Sequence, residues 1–171
     1  MKRMRRNKRQ RFRYVKFEKH LAGITYKKYK EVIFLNDQQA KIEIWKLLME
    51  YADMLEVDSG LIEELLELLS SSGTEKRFLK RLEKYLQQLR EEGEKAIGKK
   101  GDPMEHLKGP SSLCSMRFPL GVSNVRILFF YKNNKVYLLR AFYERRGHKN
   151  TEYDAHIPVA QKRLAEILGE K

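Results

Sequence analysis

The sequence predicts an α+β domain built on a small antiparallel sheet. Three apolar segments that indicate strands follow one another closely between residues 114 and 143, while most segments with helical periodicity precede them and one follows. Strands that cluster in this way, instead of alternating with helices, favour an antiparallel sheet over a parallel βαβ array. A chain of 171 residues can bury the core of one such domain. We expect N-terminal helices, a C-terminal helix and one further strand from the N-terminal part.

A basic N-terminal arm is predicted over residues 1–28, before a folded domain over residues 29–171. Between Lys2 and Arg13 the chain carries eight Lys and Arg and no acidic residue, a pattern typical of a solvated segment. In the functional interpretation the arm binds phosphates without sequence specificity, and salt weakens that binding. In the other interpretation it is a solubility tail or an extension from a misassigned start codon. Both interpretations stay open at this point.

The folded domain is predicted to start with a strand over Tyr29–Leu35 and a helix directly after it. Asn36 and Asp37 supply the residue type that caps a helix N-terminus. In the helix, apolar residues recur at three- and four-residue spacing, and we expect them to face the sheet. The predicted stripe consists of Ile42, Trp45, Leu48, Met49 and Ala52.

Two more helices are predicted before the strand cluster. The segment around residues 50–73 is rich in Asp and Glu around the apolar pairs Leu61-Ile62 and Leu65-Leu66, which indicates a short helical insertion. Its acidic face is either solvated or shields the basic arm or the ligand face electrostatically. Thr74 is placed to cap a longer helix. The inner stripe predicted for that longer helix consists of Phe78, Leu82, Tyr85 and Leu89.

The last predicted helix follows the strands and opens at Pro158. Proline suits the first position of a helix because the backbone N–H that it lacks would be unpaired there. The expected inner face of this helix is Ile157, Ala160, Leu164, Ile167 and Leu168.

Asn133 and Asn134 indicate a two-residue hairpin turn between the last two strands, because asparagine tolerates the positive φ that primed turns require. Side chains alternate between the two faces of a strand, so this register separates Arg126 from Arg140 unless a bulge or a longer turn shifts it. The predicted pairs are Tyr131 with Val136, Leu128 with Leu139, and Arg126 with Ala141.

Composition narrows the function classes. The formal net charge of +13 and pI near 9.8 favour nucleic acid as a partner over an anionic membrane, since no apolar run approaches the ~20 residues of a spanning helix. We expect a cytoplasmic protein. Cys114 is the only cysteine, so a disulfide within one chain and a multi-cysteine zinc site are excluded, and we expect it to be a small buried hydrophobe.

Five arginines in and beside the strands are the candidate functional residues. Guanidinium groups set into apolar strands are costly unless an anion meets them, which favours a sheet that receives a phosphate-bearing ligand. For any one of them, an ordinary ion pair with Glu144, Glu152 or Asp154 is an equal alternative. The five are Arg117, Arg126, Arg140, Arg145 and Arg146.

The order of several short motifs resembles the HigB/RelE-type toxins of bacterial type II toxin–antitoxin modules, and most closely their phage-derived HigB-like branch. The resemblance covers the C-terminal third of the chain and, more loosely, residues 29–52. The segments that carry it are Leu107-Lys108-Gly109, Leu113 to Arg117, Val125 to Phe130, Lys135 to Phe142 and Ile157 to Arg163.

That resemblance implies a RelE/ParE-like toxin that enters the ribosome and cleaves messenger RNA, causing growth arrest. In such an mRNA interferase the ribose 2′-hydroxyl attacks the adjacent phosphodiester, so no metal or other cofactor is expected. Preorganised cations are needed where negative charge develops, and two proton transfers must occur. The implied partners are the ribosome, messenger RNA and a cognate helix-turn-helix antitoxin.

The resemblance, together with the chemistry of neighbouring residues, gives candidate roles to eight residues. His148 is among them because it is the only histidine close to this group and an imidazole suits acid or base work near neutral pH. Arg126 matches the arginine that contacts the scissile phosphate, so its replacement by alanine is expected to abolish toxicity and leave the fold intact. The catalytic group is Arg117, Arg126, Arg146, His148 and Tyr153, and the RNA phosphate contacts are Arg145, Lys108 and Arg140. From the strand pattern alone, Arg140 is equally suited to lie at a sheet edge or to bind an acidic partner.

Several residues depart from the usual pattern of that branch. Cys114 and Ser115 replace Trp and Glu, Arg140 replaces His, and Glu144 stands where a basic residue is expected. Glu144 either pairs with a neighbouring arginine or marks altered or lost cleavage. Two alternatives therefore remain beside the endoribonuclease: a gyrase-directed toxin of the same fold, and a catalytically silent nucleic-acid-binding or regulatory protein.

Overall fold

A computed structural model describes residues 39–69, 73–98, 102–109, 112–120, 124–145 and 149–169. The predicted arm, the predicted strand Tyr29–Leu35 and the division after residue 28 lie outside these residues. Within them, the predicted α+β class is confirmed. The elements are α1 over 39–50, β1 (Leu55–Val57), α2 (Leu61–Leu69), α3 (Glu75–Glu92), a 3₁₀ turn (Gly93–Ala96), β2 (Met104–His106), β3 (Cys114–Pro119), β4 (Asn124–Lys132), β5 (Lys135–Glu144) and α4 (Lys149–Leu168).

The five strands form one mixed sheet in the order β1-β5-β4-β3-β2. The three predicted strands of the cluster are β3, β4 and β5, which pair antiparallel. The expectation of a wholly antiparallel sheet was wrong, because β1 pairs parallel to β5 at the edge. β1 lies inside the segment predicted as a purely helical insertion, and three residues are too few for a period-2 pattern to be recognised.

Helix α1 buries a different stripe from the predicted one. Ile42, Trp45 and Met49 are exposed, with 45%, 45% and 64% of their surface accessible. Leu48 is buried as predicted, but the other buried residues form a neighbouring stripe, so the helix is rotated from the expected orientation. Its buried members are Ile44, Leu47, Leu48 and, just past the helix, Tyr51.

The hairpin turn is confirmed, and a bulge corrects its register. Asn133 and Asn134 have φ values of 52° and 60°, as a primed two-residue turn requires. The register shifts between Leu128 and Phe129, so Leu128 pairs with Arg140 instead of Leu139, and Arg126 pairs with Phe142 instead of Ala141. This is the bulge that the sequence left open, and it places Arg126 and Arg140 on the same face of the sheet.

Helix α4 begins nine residues before the predicted start. Pro158 therefore lies inside the helix, at an exposed position. The N–H that proline lacks would have bonded to the carbonyl of Asp154, which is also exposed, so water can satisfy that group. The buried side chains of Tyr153 and Ala160 hold the helix against the sheet on either side of the proline.

Helices cover both faces of the sheet. Helices α1, α2 and α3 pack on one face through a large apolar cluster, where Phe118 contacts Phe78 and Tyr85 with ring centroids 4.6 and 5.2 Å apart. Cys114 is a buried member of this cluster, as expected, and burial raises the pKa of its thiol to about 12. Helix α4 covers the other face with Tyr153, Ala160 and Leu164. None of the helices in the described ranges combines the length and apolarity needed to cross a bilayer.

Candidate active site

The strand register gathers three of the predicted arginines on the sheet face that α4 covers. Arg117 on β3 pairs directly with Arg126 on β4, so their side chains project from the same face. The bulge adds Arg140 to that face, where its Nε lies 3.3 Å from Nδ1 of His156 on α4. Arg145 follows the last residue of β5, at the end of the sheet nearest to Arg117 and Arg126.

Arg126 is buried between two carboxylates. Only 2% of its surface is accessible; its Nε donates to Glu144 Oε2 at 2.6 Å, and its Nη1 donates to Glu105 Oε1 at 3.4 Å. The guanidinium carbon also lies 5.8 Å from the ring centre of Tyr153. Two buried carboxylates already accept hydrogen bonds from its guanidinium, so this arginine is not presented to a ligand at the surface.

This environment corrects the expectation that Arg126→Ala leaves the fold intact. The substitution would leave Glu105 and Glu144 buried without their cation, which is among the more damaging changes available in a protein interior. It also answers the question raised by Glu144. This residue pairs with Arg126 across the sheet, whereas Arg145, which follows it in the sequence, pairs with Glu152.

Tyr153 anchors the start of α4 to the sheet. Its hydroxyl lies 2.8 Å from Ser115 Oγ, its ring meets Phe142 edge-on at 5.4 Å, and 6% of its surface is accessible. Burial raises the pKa of this phenol above its ordinary value, against the opposing effects of the Ser115 hydrogen bond and the charge of Arg126. Tyr153 therefore stays neutral near pH 7, so it is not a ready proton acceptor.

Arg140 belongs to a second charged cluster, centred on Glu64 of α2. Glu64 accepts hydrogen bonds from Arg140, from Arg163 Nη2 at 2.7 Å and from the backbone N–H of Ala141 at 2.9 Å. Arg163 also pairs with Asp58 at 3.1 Å. Glu64 therefore holds β5 just past the bulge, and the acidic segment is not merely a solvated face.

An open cavity of 340 Å³ lies beside this cluster. Its charged lining includes Arg140 and Arg145 but also Glu64, Glu67 and Glu152, so carboxylates outnumber arginines. Burial and the nearby charge of Arg140 lower the pKa of His156, which also lines the cavity. A cavity with this balance does not favour a phosphate.

Of the predicted arginines that the structure describes, Arg145 is the most open to solvent. Its side chain is 67% accessible, and its Nε donates to Glu152 Oε1 at 2.5 Å. Arg117 is half-buried, and its carbonyl oxygen accepts a hydrogen bond of 3.0 Å from the Tyr85 hydroxyl. Lys108 is exposed after β2, beside the start of β3 and away from the end where Arg117 lies, so the structure does not bring it into this group.

Arg146 and His148 lie in the short connection between β5 and α4, outside the described residues. Their assigned roles therefore stay predictions. We call the end of the sheet that carries Arg117 and Arg145 the arginine corner.

Sequence reasoning named Glu144 and Glu152 as possible partners of these arginines, and the structure pairs them with Arg126 and Arg145. It missed two other acidic partners, Glu105 and Glu64. Glu105 lies on the three-residue strand β2, and Glu64 belongs to a helix whose carboxylates were predicted to face solvent or to shield the ligand face at a distance. Neither position carries a local signal of burial. Among the described residues, no group of three or more His, Cys, Asp or Glu is arranged to hold a metal ion.

Comparison with known proteins adds no assignment: no protein-family model, curated protein or solved structure matches the chain.

Proposed function

We propose that this protein is a toxin of the HigB/RelE type that cleaves messenger RNA on the ribosome by 2′-hydroxyl attack. The proposal rests on the ordered motifs described above and on an α+β fold compatible with them. The observation that carries it is the strand register, which brings Arg117 to the end of the sheet where exposed Arg145 follows β5. In the sequence Arg145 is followed directly by Arg146 and, two residues later, by His148, which the proposal takes as a further cation and a candidate proton carrier.

In this proposal the surface arginines meet the RNA and the buried residues position them. Negative charge develops on phosphorus oxygens during the attack, and the exposed guanidinium of Arg145 is placed to stabilise it. Arg126 binds Glu144, the residue directly before Arg145, so it fixes the end of β5. Arg126 and Tyr153 are thus positioning residues, because burial removes both from contact with a substrate.

One observation favours a second candidate, a nucleic-acid-binding protein without cleavage activity. The arginine that matches the scissile-phosphate contact of the resembled family is enclosed by Glu105 and Glu144, and such carboxylates repel a phosphate. A gyrase-directed toxin of the same fold stays an alternative on the resemblance alone.

The test is induced expression in a bacterial host, followed by mapping of messenger-RNA 5′ ends. The proposal expects growth arrest and new in-frame 5′ ends that disappear when translation is blocked. Arg145→Ala combined with Arg146→Ala is expected to reduce cleavage by about 10²-fold or more, the effect typical of losing charge stabilisation in a transition state.

The matched control is Lys135→Ala. Lys135 is also an exposed cation with a carboxylate partner, Glu56 at 3.2 Å, but it lies at the hairpin turn, away from the arginine corner. The Lys135→Ala variant should cleave messenger RNA as the unchanged protein does. Growth arrest without new 5′ ends would refute cleavage and favour the gyrase-directed alternative. Harmless expression of the folded protein would refute the toxin proposal and leave the silent binding protein.

A further inference from the structure

The positive charge of this chain is distributed very unevenly. Residues 1–38 contain 13 Lys and Arg against 3 Asp and Glu, whereas residues 39–171 contain 23 against 20. The charges of residues 39–171 are therefore nearly balanced. Net charge therefore does not explain a surface in this part of the chain that carries several cations and few carboxylates. Such a surface is a local feature.

The outward face of α3 is such a surface. The segment from residue 76 to 84 carries five cations and a single carboxylate, Glu83. Among the residues that the structure describes, no ion pair or side-chain hydrogen bond is recorded for any of the five, and four of them are exposed while Arg81 is half-buried. We call this set the α3 stripe: Lys76, Arg77, Lys80, Arg81 and Lys84.

The α3 stripe weakens the helix that carries it. Lys76 and Lys80, Lys80 and Lys84, and Arg77 and Arg81 are like charges four residues apart, a spacing that costs about 0.2–0.5 kcal/mol per pair in an isolated helix. Lys76 and Arg77 also stand in the first turn, where positive charge opposes the helix dipole. A bound polyanion would relieve both kinds of repulsion.

The stripe is separate from the arginine corner. The opposite side of α3 packs into the apolar core through Phe78, Leu82 and Tyr85, on the sheet face that α4 does not cover. From Lys76 to Lys84 the stripe extends about 12 Å along the helix, at 1.5 Å per residue. That length spans several successive phosphates of one nucleic-acid strand.

We propose that the α3 stripe is a docking surface for the phosphodiester backbone of RNA, independent of the residues that would cleave it. Five cations without carboxylate partners are complementary to a polyanion. The choice of RNA over DNA rests on the proposed function, whereas the choice of a phosphodiester backbone rests on the charges of α3.

The experiment measures binding of the full chain to a single-stranded 2′-O-methyl RNA across a salt series. This RNA lacks the free 2′-hydroxyl, so failure of the cleavage proposal does not affect the result. The variant is Lys76→Gln, Lys80→Gln and Lys84→Gln together, because glutamine keeps the helix propensity close to that of lysine. Circular dichroism confirms that the variant is folded.

Losing three phosphate contacts should lower the slope of log affinity against log salt by about 2. At 150 mM salt this corresponds to roughly 40-fold weaker binding. The matched control is Lys46→Gln, Lys95→Gln and Lys132→Gln, which removes the same charge from three separate exposed positions of the described structure. The control should keep binding within about threefold, because it spares the α3 stripe.

Three outcomes would overturn the proposal. Equal losses in the two triple variants would mean that net charge alone governs binding. If the α3 variant lost affinity for single-stranded DNA of the same sequence but not for RNA, RNA would be excluded as the occupant. If the α3 variant lost affinity for vesicles of anionic phospholipid while its RNA binding stayed unchanged, the stripe would be assigned to a membrane surface.

Discussion

Replacing Arg126 with alanine gives the most direct test of the buried ion-pair cluster. The side chains of Arg126 and Glu105 are each 3% accessible and that of Glu144 is 8% accessible, so water cannot screen the two carboxylates that the substitution leaves behind. Removing one partner of a buried ion pair typically costs about 3–5 kcal/mol. The whole stability of a domain this size is of order 5–15 kcal/mol, so we expect a severe loss.

The assay is urea unfolding followed by circular dichroism, together with thermal unfolding. At about 2–4 °C per kcal/mol for a domain of this size, the expected loss lowers Tm by about 6–20 °C. The control is Arg90→Ala, which also removes an arginine paired with a carboxylate, Asp53, but at the surface. It should cost no more than about 1.5 kcal/mol, including its cation–π contact with Tyr51.

A triple variant distinguishes the cost of unpaired buried charge from the cost of lost packing around residue 126. Arg126→Met combined with Glu105→Gln and Glu144→Gln removes the charge on all three side chains, so a large part of the stability lost in Arg126→Ala should return. If the free energy of unfolding of Arg126→Ala lies within 0.5 kcal/mol of that of the unchanged protein, Arg126 does not stabilise the two buried carboxylates, and the positioning role assigned to it fails.

Three further predictions follow from the neighbouring contacts. Tyr153→Phe should cost about 1–2 kcal/mol by leaving the Ser115 hydroxyl without its partner, and adding Ser115→Ala should restore part of it; a double-mutant cycle in urea measures the coupling. Glu64→Gln should lower the free energy of unfolding by about 1–3 kcal/mol, whereas Glu63→Gln, at an exposed neighbouring position, should change it by no more than about 0.5 kcal/mol. Equal effects in the same assay would contradict the central role of Glu64. The pKa of His156 in the folded protein is lowered from 6.5, so the unfolded chain binds more protons at mildly acidic pH and the free energy of unfolding should fall as the pH drops below 6.5. His156→Phe should flatten this pH dependence between pH 7.5 and 5, as measured by the urea midpoint.

The two surfaces proposed here make different demands on RNA. The arginine corner requires a defined placement of one phosphodiester, since charge stabilisation in a transition state depends on distance. The α3 stripe requires only a run of phosphates, so it is tolerant of sequence. Mutations in the stripe are therefore expected to weaken binding across different RNA sequences alike, and mutations in the corner to change cleavage more than binding.

Local patterns in the sequence were enough for the fold class, the three central strands and the hairpin turn. Each of these depends on neighbouring residues: alternation of side chains in β3 to β5, and two asparagines that adopt positive φ at the turn. The inner stripe of α3 was also predicted correctly, because its apolar residues form one face and the rest of the helix is charged.

Tertiary structure decided what local patterns left ambiguous. Helix α1 has apolar residues on more than one face, so periodicity allowed two stripes, and packing in the core selected the one that contains Ile44 and Leu47. The bulge beside Leu128 reversed the relation between Arg126 and Arg140 because a single extra residue exchanges the faces of a strand. The sequence shows which arginines stand in the strands, but the charge that meets each one comes from residues such as Glu64, 76 positions away from Arg140, and only folding brings them together.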